Sequence, residues 1–433
     1  MKNAYIDKSR YKEIILHCDQ NYSYFFGYYD RTPWSLGGDK ILTHRTTSKK
    51  TYIEQGDLLE LGYFEVIGDF PSYNVISKLN VCNWQQGSMP AWIKSRYSVS
   101  DHVIFNDLVG DVYAAQIMTT EGELIRSFDY PLSDLSYDGS FYLSISSSRL
   151  YFTRRAYSYE GEHDNRWNDD VVENDGLRIV EIESGKSDFL VKTKDLVDDL
   201  VESMTEAKHW IDHPLFSPDS KNILFYHRWL TKKGTFFTRL YSYNIQNKSF
   251  FLYPDSGMYS HATWQDNDCF LVFGRGKSSD PRLKKDAGYI YKGLLNIGLF
   301  GYKFLKNLSY IKKFRKKVLK DNYLLFRLKE ENPRVIDTSP FLNLDGHPSF
   351  CPANKEVFIT DTYPDSEDMR ALYTKNISSG EVALVGNFPV PAGHNDSSPD
   401  RCDLHPRWDR SGRYISIDSM HDGIRKQHVF CCQ

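Results

Sequence analysis

Seven times along this chain an aromatic residue or a leucine precedes a turn and a short β-rich run, and in the last four copies a histidine stands three positions ahead of it. Those four read His213-Pro-Leu-Phe216, His261-Ala-Thr-Trp264, His347-Pro-Ser-Phe350 and His405-Pro-Arg-Trp408. The earlier copies are Arg31-Thr-Pro-Trp34, Met89-Pro-Ala-Trp92 and Leu132-Ser-Asp-Leu135. A supersecondary unit repeated in this way buries its apolar face only against its own neighbours. The turns use Pro, Asp and Gly, as in Ser217-Pro-Asp-Ser220 and Asp409-Arg-Ser-Gly412, and apolar runs such as Ile223 to Tyr226 and Tyr414 to Ile417 follow. About four strands fit each unit, which is the make-up of a propeller blade. The expected fold is therefore an all-β, seven-bladed β-propeller occupying residues 1–433 as one domain.

Ring closure is also legible. The last unit has room for three strands between Asp403 and Phe430, so its fourth is expected from the N-terminal run Glu13 to Cys18. That pairing removes two exposed sheet edges. Thirty Tyr, 26 Phe and 8 Trp suit an aromatic-rich β protein, and a net charge of −3 gives no overall pull toward nucleic acid. Seven scattered cysteines without zinc-site spacing, and a start lacking an apolar signal core, point to a reducing, cytoplasmic location.

Two insertions interrupt the repeat. The first, about 157–209, is acidic (Glu160, Glu162, Asp164, Asp169, Asp170, Glu173, Asp175), contains a strand pair, and suggests a helix over Asp195 to Ala207. It reads as a connector, or alternatively as a flap over one mouth of the channel. The second, 284–322, is basic and amphipathic: Ala287 to Lys320 holds nine Lys or Arg and no acid, mixed with Leu, Phe and Ile. Such a helical excursion either packs on the propeller's side or attaches, across 287–320, to an anionic membrane surface or an acidic partner, which would make the protein peripheral to the inner face of the membrane.

In a propeller the innermost strands line the central channel, so four histidines at equivalent positions on consecutive units should converge on one mouth. Strand exits should add Arg228, Arg275, Asn106 and Asp361 to the same rim. Imidazoles with a carboxylate hold a divalent metal, and arginines bind an anionic substrate bidentately. That combination suits removal of a proton next to a carboxylate, with a His or Tyr as base, as in β-elimination on uronic sugars. Tyr28, Tyr29, Arg31, Trp84, Gln85, Gln86, Asn106 and Trp229 are the expected sugar-binding residues. Against this stands a structural role, in which acids near the histidines (Asp212, Asp345, Asp403) simply tie blades together.

The runs His213-Pro-Leu-Phe-Ser-Pro-Asp219, Asp345-Gly-His-Pro-Ser-Phe350 and Cys402-Asp-Leu-His-Pro-Arg-Trp408 resemble the oligogalacturonate lyase group of seven-bladed propellers, within the wider Tol-type repeat class, over residues 20 to 430. The resemblance implies a cytoplasmic lyase acting on acidic oligosaccharides or polysaccharides with a manganese-like ion. By position, His213 corresponds to the catalytic histidine, and His261 and His347 to metal ligands. Where the family has a further histidine and a glutamine ahead of His347, this chain has Asp345 and Leu342, so Asp345 and His405 are the expected substitutes. For the substrate arginine, geometry nominates Arg228 or Arg275. The alternatives are a glycoside hydrolase and a non-catalytic glycan-binding or assembly platform.

Overall fold

The computed structural model describes residues 3–14, 16, 18–66, 72–94, 101–162, 164–276, 283, 321–338, 344–394 and 398–433. Among them lie seven antiparallel sheets, one per repeat, and the chain is a seven-bladed β-propeller. Blade 1 runs from Ser23–Phe25 to Tyr73–Lys78, blade 2 from Ala91–Lys94 to Leu124–Ser127, and blade 3 from Asp134–Leu135 to Ser187–Lys192. Blade 4 spans Ala207–Phe216 to Ser249–Leu252 and blade 5 Tyr259–Trp264 to Arg334–Ile336. Blade 6 spans Ser349–Cys351 to Val382–Pro389, and blade 7 contributes Arg407–Trp408, Tyr414–Ser419 and Lys426–Cys432.

The fourth strand of blade 7 comes from the N-terminus, as the count of strands required. It begins earlier than expected: Tyr11–Ile14 pairs antiparallel with the last strand, Glu13 opposite Phe430 and Ile14 opposite Val429. A second N-terminal piece, Tyr5–Ile6, adds an unforeseen fifth strand to the edge of blade 6. The two pieces bind adjacent blades, so the terminus fastens the ring at two points.

The repeated aromatic is the wedge between blades. The Trp92 indole donates to Pro33 O at 2.7 Å, Trp264 to Leu215 O at 3.3 Å and Trp408 to Ser349 O at 3.1 Å, each reaching back to the preceding blade. Around these bonds the facing sheets form apolar layers, such as Leu42, Leu61, Trp92, Val103 and Phe105 between blades 1 and 2. The motif therefore marks where one blade leans on another.

The connector departs from expectation. Its strand pair, Gly176–Glu181 and Ser187–Lys192, is the outer half of blade 3 itself. The helix expected over Asp195 to Ala207 does not form; two short 3-10 turns, Thr193–Leu196 and Glu202–Met204, lead straight into the first strand of blade 4. Neither turn has a side-chain cap. Val201 and Met204 are buried against Trp229 and Phe237, and that packing outweighs the weak local helix preference. The one α-helix among the described residues is Ser147–Thr153, capped by Ser146, whose hydroxyl accepts from Arg149 N. The basic insertion lies outside the described residues except for Asp321 and Asn322.

Candidate active site

Blades 4 to 7 each deliver one imidazole to the channel. Ring centroids lie 6.4 Å apart for His213 and His261, 4.2 Å for His261 and His347, and 4.2 Å for His347 and His405. Tyr29 fills the middle of this arc, 5.3 Å from His261, 5.4 Å from His347 and 6.2 Å from His405. Its hydroxyl donates to Ala262 O at 2.9 Å. The loop carrying it crosses the channel from blade 1. It passes so close to the turn at Gln86 and Gly87 that a Cβ at Gly27 would meet Gly87 N at 2.5 Å; Gly27 also has φ +100°, so glycine is required there twice over. His213 and His405, both preceding proline, have φ of 48° and 44°. Such backbone is costly for a non-glycine residue and persists only where the surroundings over-determine it.

The surroundings do so through Nδ1. His213 Nδ1 meets Asp212 Oδ1 at 2.7 Å, His261 Nδ1 meets Asp345 Oδ1 at 3.0 Å, and His347 Nδ1 meets Asp361 Oδ1 at 2.9 Å. His405 Nδ1 donates to the Gly27 carbonyl. An acceptor on Nδ1 fixes the proton there and leaves the Nε2 lone pair for a ligand or a substrate proton. Burial holds His213 neutral, pushed down to about 4 despite Asp212, and it pushes His261 and His405 down as well. In His347 burial acts in the same direction, but Asp361 outweighs it and the imidazole is raised.

Charge is arranged around the arc. Asp212 accepts from Arg228 at 2.9 Å and from Arg154 at 3.1 Å through one oxygen, while its other oxygen serves His213. Asp403 sits between Arg370 and Arg401, each at 2.8 Å. Burial alone would raise both carboxyls, yet the adjacent cations hold them well below the usual carboxylate range. Arg401 also donates to the Tyr157 hydroxyl at 2.6 Å, and the Tyr157 ring lies 6.2 Å from His213. Tyr157, at the start of the connector, and Arg154, just before it, thus stand beside His213 and Asp212.

The donor set fits a divalent ion in part. Among the described residues, His347, Asp403 and His405 offer one ligand atom each, all within 4.8 Å of one another. Such an ion requires neutral imidazoles with Nδ1 anchored: burial keeps His405 so, whereas His347, raised by Asp361, must give up its proton to bind. Asp345 is not in that group; its carboxylate is turned to His261 Nδ1, and Asp403, two residues before His405, takes the place expected of it. The stretch around Leu342 lies outside the described residues.

The other expected residues divide between the mouth and the scaffold. Tyr28 is at the mouth, its ring 6.3 Å from His213. Arg31 is a tie, donating to Met89 O, Ser133 O and Asp134. Asn106 bonds the Leu132 backbone in both directions, joining blades 2 and 3. Gln85 donates to Arg401 O at 2.8 Å, and Asn83 Oδ1 accepts from the Gln85 and Gln86 amides, so this segment is a packed turn. Trp84 is buried under Arg425 and donates to Lys50 O. Trp229 is 0% exposed, stacked on Phe237 and His209 beneath the connector, and presents no face to a sugar. Arg275 is held by Asp321 at 2.8 Å on its own blade, with no contact to the histidines. Arg228 is buried and reaches the site through Asp212 and through the Tyr226 ring beneath it, which lies 5.8 Å from His213. Apolar or aromatic type was a poor guide to exposure because the blades need so many wedges.

Arg154, Tyr157, Arg401, Asp403 and Tyr363, whose ring lies 6.1 Å from His347, escaped sequence reasoning as site residues. The acid two residues before His405 was a usable signal, and so was the pair Arg154-Arg155 where the repeat breaks off. Tyr29, expected at the rim, is brought to the middle of the arc by a loop from the far side of the ring.

No protein-family model matches the sequence, and no curated protein matches it either. Among solved structures, an oligogalacturonate lyase from Vibrio parahaemolyticus aligns over 100% of this chain and 98% of its own, with a TM-score of 0.40 and 8% identity. The chain is similar in shape to the oligogalacturonate lyases. An oligogalacturonate lyase in complex with manganese gives a TM-score of 0.46 at 8% identity, covering 91% of this chain and 97% of that one. The tricorn protease gives 0.48 at 10% identity, over 95% of this chain and 34% of that one.

Proposed function

We propose that the protein is a carbohydrate-active lyase that cleaves by β-elimination next to a uronic or other acidic sugar at the histidine mouth. The observation that carries this reading is the pairing of a buried, neutral His213 with a cation, Arg154, on one shared carboxylate, at the end of an arc of three further imidazoles. Arg154 and Arg401 are placed to neutralise the sugar carboxylate, which acidifies the neighbouring C–H. His213 Nε2 takes that proton; the C–H electron pair becomes the new carbon–carbon double bond, and the bond from the β-carbon to the glycosidic oxygen breaks. The departing oxygen takes a proton from the Tyr157 hydroxyl or from water. Asp212 keeps His213 in the tautomer that accepts at Nε2. A manganese-like ion on His261, His347 and His405, with Asp403 within reach, would supply further positive charge for the carboxylate.

Support for a second reading, a non-catalytic glycan-binding platform, comes from Asp361. It accepts from His347 N and from the Leu404 and His405 amides of blade 7, so part of this constellation already serves as a tie. His213→Ala separates the two. A lyase loses at least about a hundredfold in formation of the ultraviolet-absorbing unsaturated uronate while keeping its Tm; unchanged turnover of acidic oligosaccharides, or a collapse in Tm, removes His213 from the role of base. A cytoplasmic location, and attachment through 287–320 to an anionic membrane surface or acidic partner, complete the proposal.

A further inference from the structure

A second cluster of metal-binding side chains lies away from the channel, at the seam where the ring is closed. His421 and Asp422 sit in the turn after the second strand of blade 7, and His428 sits in its third strand. Each offers one ligand atom, and the three atoms lie within 4.8 Å of one another. The two imidazole centroids are 4.5 Å apart.

The hydrogen bonds sort the ring nitrogens in the same sense. His428 Nδ1 meets Glu13 Oε1 at 3.0 Å, and Glu13 belongs to the N-terminal strand that completes the blade. His421 Nδ1 meets Ser419 Oγ at 2.8 Å. Glu13 fixes the His428 proton on Nδ1 and leaves its Nε2 lone pair over, while the Ser419 hydroxyl, able to donate or accept, permits His421 to present Nε2 in the same way. His421 Nε2 faces Asp422 Oδ1 at 3.2 Å, whereas His428 Nε2 is buried with no hydrogen-bond partner, on a side chain only 8% exposed. A buried imidazole nitrogen left unmatched is costly, and a cation at this point satisfies it. Lys426 engages the other Asp422 oxygen at 3.1 Å, which leaves Oδ1 to complete the set.

We propose that His421, Asp422 and His428 form a divalent transition-metal site, of the zinc class, that clamps the closure of the propeller. Two imidazoles and one carboxylate with an open fourth position suit a tetrahedral ion, whose ligand atoms lie about 3.4 Å apart, within the span already present. Glu13 acts from behind, fixing the His428 tautomer through Nδ1. Loading the ion therefore stiffens the same strand pairing that holds the N-terminus to the last blade. The site shares no residue with the channel histidines.

The test is zinc titration of the full-length, EDTA-stripped protein by calorimetry, with Tm followed in parallel, on wild type, His421→Ala and Asp422→Asn. His421 and Asp422 lie on a surface turn, so both variants are expected to fold, and circular dichroism verifies this. Wild type is expected to bind one more equivalent of zinc than His421→Ala, with Tm rising by a few degrees at large excess over Kd and no such rise in the variant. Asp422→Asn should weaken that equivalent at least tenfold. Equal stoichiometry and equal Tm response in wild type and His421→Ala overturn the proposal. A His347→Ala background, which removes a channel ligand, assigns the equivalent: zinc lost there but retained in His421→Ala places the ion in the channel and also overturns it.

Discussion

In blades 1 to 3 the motif position three residues ahead of the wedge aromatic serves the scaffold. Arg31 reaches blades 2 and 3 at once, Met89 packs against Tyr28 and Tyr29, and Leu132 is bonded through its backbone to Asn106. In blades 4 to 7 the same position holds an imidazole whose Nδ1 is occupied and whose Nε2 is left over. Both halves need their strand starts fixed. The first half does it with the motif residue itself, whereas at His213, His347 and His405 a carboxylate, Asp212 or Asp361, accepts from the motif residue's amide, which frees the imidazole for chemistry. The lesson is that a repeat position becomes a functional one when a neighbour takes over its structural duty.

The most drastic way to break the comparison is to open the ring. Deleting residues 1–20 removes Tyr5–Ile6 and Tyr11–Ile14 together, exposing edges on blades 6 and 7, and no soluble folded protein is expected by size exclusion and circular dichroism. A folded, monodisperse truncation would show that the two halves hold without closure. Next in size is Asp361→Ala, which leaves the His347, Leu404 and His405 amides without their acceptor. It should cost about 3 kcal/mol or more by urea denaturation, where His213→Ala costs much less; equal losses would erase the distinction between tie and site.

Acid sharpens the comparison from another side. His44 in blade 1, at the mouth of a blade without a motif histidine, and His213 in blade 4 are both pushed by burial from 6.5 to about 4. Their folded values lie below the unfolded one, so between pH 6.5 and 4 the unfolded chain binds more protons. Their stabilising contribution is therefore whole above pH 6.5 and is lost as pH falls toward 4. By pH 5 each should have cost about 2 kcal/mol, read as a fall in the urea midpoint. His44→Gln and His213→Gln should each flatten that slope; a slope unchanged in both would mean that neither is buried neutral. Smallest is Tyr157→Phe, which removes the bond from Arg401 while keeping the ring over His213. Stability should move by about 1 kcal/mol or less, with a larger fall in turnover than in binding of an acidic oligosaccharide.

The blades, their number, the wedge aromatics and the closure by the N-terminus were legible in sequence because each depends on local pattern: a period, a turn and a missing strand. Convergence of the motif histidines followed from placing them at one position of a ring. Trp229 and Gln85 misled because residue type does not say which face of a blade is covered. Asp345 was named for the metal but turns to His261, and Asp403 stands with His347 and His405 instead. Which carboxylate meets which imidazole depends on rotamers and neighbours that no spacing encodes.

The sequence by itself determined the ring and the four imidazoles at one mouth of it, since repetition and alternation are properties of the chain taken a few residues at a time. Only the tertiary structure decided the company those imidazoles keep. Arg154 and Asp212 are 58 positions apart, Tyr157 and Arg401 244, and Glu13 and His428 415. The first joins neighbouring blades, but the other two exist only once the ring is shut, because shutting it brings the loops of distant blades to one axis and the two ends of the chain to one seam.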